Sequence, residues 1–207
     1  MTRVMRWSRR LGVGLALGGI AWVMTACAGT PERALPNGSA NLAERDRTAL
    51  FARALAAQDA GDDARAIALL REVITLAPGD AAPHVNLGVL YRRGGRVDDA
   101  VREYEAAIRL DPDDAAAYHD LGLVQRARGK FADAERAYQR ALELRPNQAD
   151  THYNLGILYD LYLNRPQDAL QHYRTVIESG GPAADTVTGW VLALERRLAQ
   201  GQGSISR

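Results

Sequence analysis

Three histidines, His84, His119 and His152, recur at intervals close to 34 residues. Imidazoles in such register suggest a ladder of metal ligands. A metal site needs ring nitrogens within about 2 Å of one ion, however, and a long interval alone does not bring them there. The expectation is therefore three half-buried histidines packing in equivalent places, with no metal. The adjacent carboxylates Asp62-Asp63 and Asp113-Asp114 offer paired acid–base groups. Their flanks, Gly61 and Pro112, put them at turns and helix starts, where aspartate accepts from unpaired backbone N–H groups. The stretch Asp111-Pro112-Asp113-Asp114 is short for a calcium loop and lacks its glycine and distal glutamate. The sequence contains no P-loop, no G-x-S-x-G and no H-E-x-x-H. Its one cysteine, Cys27, rules out an intramolecular disulfide and a paired Cys/His zinc site. No catalytic constellation and no cofactor motif emerges, so the reading is a protein without enzymatic activity.

The elements that would position any site follow from the rest of the 207 residues, which are 47% hydrophobic and 25% charged. That balance belongs to an ordinary folded domain and excludes both a wholly disordered and a polytopic membrane chain. The net charge of +1 hides an asymmetry, because Arg3, Arg6, Arg9 and Arg10 precede every acidic residue. Without those four, 22 bases face 25 acids, a net of −3. A mildly acidic body has no global attraction for nucleic acid. Residues 11–25, LGVGLALGGIAWVMT, form an apolar run behind the basic start. It is shorter than the roughly 20 residues of a membrane-spanning helix and reads as a secretory signal. Residues 28–40 are rich in Pro, Gly, Ser and Asn and read as a flexible tether, reaching roughly 45 Å if extended.

The remainder repeats every 34 residues, in windows opening at Arg47, Ala81, Ala115 and Ala149. The eighth residues are Ala54, Gly88, Gly122 and Gly156. The twentieth are Ala66, Ala100 and Ala134, joined by Ala169 if the fourth window carries one inserted residue. Small residues at both places let two antiparallel helices approach closely. Leu70, Tyr104, Tyr138 and Tyr173 share another register, and Pro78, Pro112 and Pro146 close three windows. Gly61, Gly95 and Gly129 are placed to end each first helix in a left-handed cap. Asp63, Asp98, Asp133 and Asp168 suit the positive end of each second helix. Asn41 and Glu44 are spaced as a capping box opening the first helix. Val187, Trp190, Val191, Leu194 and Leu198 recur at helical spacing, which predicts a further helix over 183–199 and a disordered tail over 200–207.

The run Asn86-Leu87-Gly88…Tyr91…Ala100…Tyr104…Ala107…Pro112 resembles the tetratricopeptide repeat family. The resemblance implies an all-α right-handed superhelix, an α-solenoid of four helix-turn-helix repeats plus a C-terminal capping helix. The repeats would occupy 41–182, as about 47–80, 81–114, 115–148 and 149–182. The fourth has a stretched connection, Tyr159 to Pro166, and its closing proline is displaced to Pro182. Met24-Thr25-Ala26-Cys27 resembles a bacterial lipobox. That likeness implies a signal peptide over 1–26, cleavage before Cys27, and acylation of Cys27 at the head of a tether over 27–40. Ala28, in place of Asp, points to an outer-membrane lipoprotein facing the periplasm. Because Ala26-Cys27-Ala28 also satisfies A-x-A, a soluble periplasmic protein is the alternative.

In this repeat family the first helix of each pair lines a concave face, and the resemblance implies a protein or peptide partner there. The candidate residues are Phe51, Leu55, Val85, Asn86, Val89, Arg92, Arg93, His119, Asp120, Leu123, Arg126, Tyr153, Asn154 and Ile157. Asn86 and Asn154 match a family position that often contacts a bound peptide backbone. Phe51 and Leu55 replace the Lys and Asn of the chaperone-type carboxylate clamp. Tyr153, Tyr159, Tyr162 and Trp190 mark a second candidate surface. The functional expectation is a monomeric, membrane-tethered adaptor helping to assemble or stabilise an envelope complex of the pilus or secretin type. The alternatives are an accessory lipoprotein of a TonB/ExbB-type system and a regulatory subunit of a cell-wall or polysaccharide enzyme.

Overall fold

The computed structural model describes residues 38–180 and 183–205. The expected signal, Cys27, the tether up to Asn37 and Pro182 lie outside the described residues. Among the described residues nine α-helices follow one another: α1 (Gly38–Asp59), α2 (Asp63–Leu76), α3 (Ala81–Arg93), α4 (Val97–Leu110), α5 (Ala115–Ala127), α6 (Phe131–Leu144), α7 (Ala149–Ile157), α8 (Pro166–Glu178) and α9 (Ala184–Ile205). Each packs on the next in sequence, giving four hairpins and a closing helix. This is the all-α repeat array that the 34-residue period demands.

Sequence dictates the boundaries locally. Gly61, Gly95 and Gly129 adopt φ of 75°, 72° and 72°, the left-handed conformation that ends the first helix of each hairpin. Asp80 and Asp114 cap α3 and α5 by accepting from Ala82 N and Ala116 N. Among the second helices, α2 is capped likewise by Asp62, which accepts from Arg65 N, while at α4 and α8 Arg96 and Arg165 stand at the cap position and pair with Asp99 and Asp168 in the first turn. Pro78, Pro112 and Pro146 fall two residues beyond α2, α4 and α6, where no further helical N–H is available.

Within a hairpin the tyrosine of the second helix lies flat on the glycine of the first. A Cβ at Gly88, Gly122 or Gly156 would sit 2.6, 2.5 and 2.5 Å from ring atoms of Tyr104, Tyr138 and Tyr173. All three rings are buried, together with Leu70, Leu87, Leu155 and Val176. The core runs as two clusters, one from α1 to α5 and one from α6 to α9, so no single centre holds the chain together. Each hairpin is stabilised chiefly by its neighbours.

The extra residue of the fourth window has a definite structural outcome. The helix begun at Ala149 continues as a π-helical turn over Leu158–Tyr162. There Leu163 N bonds to Leu158 O at 3.0 Å, five residues back, which is how one inserted residue is taken up without ending a helix. The stretched connection expected from Tyr159 to Pro166 is therefore helical through Tyr162, and only residues 163–165 link it to α8. Asn164, at φ 51°, takes the left-handed place filled by glycine in the other repeats.

Two further boundaries differ from expectation. Helix α1 begins at Gly38, before the Asn41 capping box, and α9 runs to Ile205, through the stretch expected as a tail. Glycines at 201 and 203 lower helix propensity by roughly 1 kcal/mol each without breaking the hydrogen-bond ladder. None of the described helices is long and apolar enough to cross a membrane.

Candidate functional site

The candidate row lies on the first helices of the hairpins, α1, α3, α5 and α7. Phe51, Val85 and Val89 lean on the N-terminal core cluster, and Leu123, Tyr153 and Ile157 on the C-terminal one. These six, with Leu55, Asn86, His119, Asp120, Arg126 and Asn154, are half-buried, while Arg92 and Arg93 are exposed. Along successive first helices these half-buried side chains form a row of apolar groups with amide, carboxylate and guanidinium groups beside them. Arg93 stands apart: its guanidinium donates to Asp63 of α2 at 3.0 Å, so it ties the second hairpin to the first.

Asn86 and Asn154 behave alike. Each amide nitrogen donates to the carbonyl four residues earlier, Ala82 O and Asp150 O, at 2.8 Å. Asn154 Oδ1 also accepts from Arg126 at 3.3 Å. With one amide donor committed to its own helix, either residue meets a partner's backbone through what remains of the amide.

Beneath the row, the tyrosines that cross the glycines reach toward the same face. The hydroxyls of Tyr104 and Tyr138 are buried with no hydrogen-bond partner. The Arg92 guanidinium lies near the Tyr104 hydroxyl without closing a bond, and Asp120 flanks it from α5. Burial pushes Tyr104 well above its usual range, with Asp120 adding to the rise. Burial likewise raises Tyr138 to about 12, opposed by Arg126. Asp120 is itself raised by burial, against the pull of Arg92. Among the described residues neither Arg92 nor Arg126 forms an ion pair. Both hydroxyls are closed off from solvent, so what the row offers an incoming carbonyl or carboxylate is the guanidinia of Arg92 and Arg126.

The histidines are not a ladder. His84 Nδ1 meets Glu103 Oε2 at 2.7 Å, and His119 Nδ1 meets Thr151 Oγ1 at 2.8 Å. His152 Nδ1 meets Nδ1 of His172, which the one-residue offset of the fourth window puts in the register of Glu103, also at 2.8 Å. Each ring is paired with a side chain of another helix, α4, α7 and α8 in turn, and none of the three is paired with another of them. Burial lowers His119, chiefly, and pushes His172 down to about 4 with His152 as the second cause. Among the described residues no three or more His, Cys, Asp or Glu side chains are grouped to hold a metal ion.

At the C-terminal edge, Trp190 of α9 stacks on Tyr153 with centroids 5.7 Å apart and meets Tyr173 edge-on at 5.6 Å. Tyr159 instead ties the fourth hairpin to the third. Its hydroxyl donates to Glu135 at 2.9 Å, and Arg165 covers its ring at 4.4 Å. Tyr162 is exposed and lies against Phe131, centroids 4.8 Å apart. Between α9, α8 and the π turn opens a cavity of about 490 Å³ lined by Leu161, Tyr173, Trp190, Ala193 and Leu194. Sequence reasoning marked the region through its aromatics but not the cavity. The signal available was the one-residue offset of Ala169 and Tyr173.

Models of the tetratricopeptide repeat match residues 48–80, 79–147 and 137–171. The chain is a tetratricopeptide repeat protein. Its fold is similar to that of the solved Pseudomonas aeruginosa PilF, at 20% identity over 78% of this chain and 74% of that one, with a TM-score of 0.67. It is also similar to MamA from Desulfovibrio magneticus RS-1, at 25% identity over 65% of this chain and 75% of that one, with a TM-score of 0.60. A further MamA structure matches at 24% identity over 74% of this chain and 94% of that one, TM-score 0.60. No curated protein matches the chain.

Proposed function

We propose that this protein is a non-enzymatic adaptor, anchored to a bacterial membrane through Cys27, that holds a protein partner on the face of its first helices. The observation that carries the reading is the row itself. Half-buried apolar side chains from successive hairpins run beside Arg92 and Arg126, two guanidinia without ion pairs among the described residues. Apolar groups supply affinity, and arginine and amide groups satisfy the partner's main chain. The lipobox-like Met24-Thr25-Ala26-Cys27 supports the anchor, and two or three acyl chains would hold it stably. Ala28 favours the outer membrane with the solenoid in the periplasm. A role in assembling or stabilising an envelope complex, of pilus or secretin type, fits a tethered scaffold with a structural likeness to PilF.

Replacing Asn86, Arg92 and Asn154 together with alanine is the test. Crosslinked capture of the partner from intact cells falls at least tenfold while the far-ultraviolet circular dichroism stays that of the parent. Undiminished capture by a folded triple variant removes this face as the binding site.

A further inference from the structure

The cavity at the C-terminal edge adjoins the proposed binding face. Tyr173, on its wall, is the third member of the series Tyr104, Tyr138 and Tyr173 that floors the face. Trp190, on another wall, stacks on Tyr153 of the row. The π turn shapes the opening: its extra residue leaves Leu161 at 68% exposure, although its neighbours Leu158 and Tyr159 are buried. With the exposed Tyr162 and Trp190, Leu161 makes an apolar surface beside the hollow, and grouped apolar surface of this kind marks interaction sites. The volume, about 490 Å³, falls within the roughly 300–1,000 Å³ of clefts that enclose small ligands.

The rim supplies the charge. Arg197 donates to Asp160 at 2.6 Å yet is 61% exposed, leaving N–H donors facing solvent. Further along the face stand Arg126 on α5 and Arg92 on α3, both without ion pairs among the described residues. Resting on the adaptor reading above, we propose that the face ends in a socket for one large apolar side chain of an extended acidic segment. The spacing follows from packing. Neighbouring helices lie about 8–10 Å apart, and an extended chain advances about 3.3 Å per residue. The segment would therefore carry carboxylates about three and six residues from its apolar anchor, opposite Arg126 and Arg92.

The experiment uses the full-length chain in phospholipid nanodiscs and fluorescein-labelled peptides read by anisotropy. The probe is Glu-Ser-Ser-Glu-Ser-Ser-Phe, compared with versions bearing Ala for Phe or Gln for both Glu. The Phe peptide is expected to bind at least tenfold more tightly than the Ala peptide. Ala193→Glu, on the exposed surface of α9, places a carboxylate in the socket and should abolish that preference. Arg126→Ser should weaken both Glu-bearing peptides alike. A Phe preference absent, or unaltered by Ala193→Glu, while binding still depends on Arg126, overturns the socket and leaves the adaptor face standing. No binding of any peptide at millimolar concentration overturns the acidic segment and the face as its site.

Discussion

Gly122 offers the sharpest test of how these hairpins are packed. A Cβ at that position would stand 2.5 Å from two ring carbons of Tyr138 and 2.9 Å from a third. Tyr138 is fully buried, so the ring cannot swing into solvent and must press on α5. Overpacking of this kind typically destabilises by about 1–3 kcal/mol, and a near-1 Å overlap with a rigid ring belongs at the upper end. Alanine in place of glycine in a helix returns about 1 kcal/mol. The net for Gly122→Ala is a loss of about 2 kcal/mol, read as a shift in urea midpoint at constant slope. Gly189→Ala in α9, where a new Cβ meets nothing within 4 Å, isolates the propensity effect and should stabilise by about 0.5–1 kcal/mol. Gly122→Ala combined with Tyr138→Leu should lose less than Tyr138→Leu and Gly122→Ala summed. A neutral or stabilising Gly122→Ala would show that the tyrosine does not rest on the helix backbone.

Three further outcomes follow from the geometry. His152 Nε2 lies 2.8 Å from Pro146 O, a carbonyl that only accepts, so Nε2 carries the hydrogen and His152 Nδ1 accepts from His172. With His172 lowered from 6.5 to about 4, the folded chain binds fewer protons than the unfolded one between those values. Stability is then complete above pH 6.5 and declines as pH falls toward 4, by about 2 kcal/mol once solvent access is allowed for; urea titrations of His172→Gln should lack most of that slope. Asn164→Gly should raise stability by about 0.5–1 kcal/mol and Asn164→Val lower it, because φ is 51° there. Arg92→Ala should change folding stability by less than about 0.5 kcal/mol, since Arg92 is exposed, while reducing partner capture several-fold in the same crosslinking assay.

The period-34 array was legible because small residues and tyrosines must recur wherever helices cross, and Gly88 against Tyr104 is the pair that the spacing implies. The insertion in the fourth window was legible as a count, but not as a π turn. An extra residue can leave a helix as a bulge, a loop or a widened turn, and Leu158–Tyr162 has no residue forbidding helix. The row of candidate residues emerged as half-buried positions because register on the first helices fixes which side faces the second. Rotamer choice was not legible. Arg93 has the same reach as Arg92 but finds Asp63 on α2, and the amide of Asn86 turns back on its own helix. Repeat register does align His172 with Glu103, the partner of His84, once the inserted residue of the fourth window is counted, so the signal for this contact was present in the sequence.

The most direct measurement is crosslinked capture from intact cells carrying the native signal, set against Cys27→Ser, with the intact mass of the mature N-terminus read in both. A membrane-anchored adaptor predicts an acylated chain beginning at Cys27 and a defined protein partner, with both the lipid mass and the partner lost on Cys27→Ser. An unacylated chain cleaved elsewhere, holding the same partners in both strains, would contradict the anchor and make this a soluble adaptor.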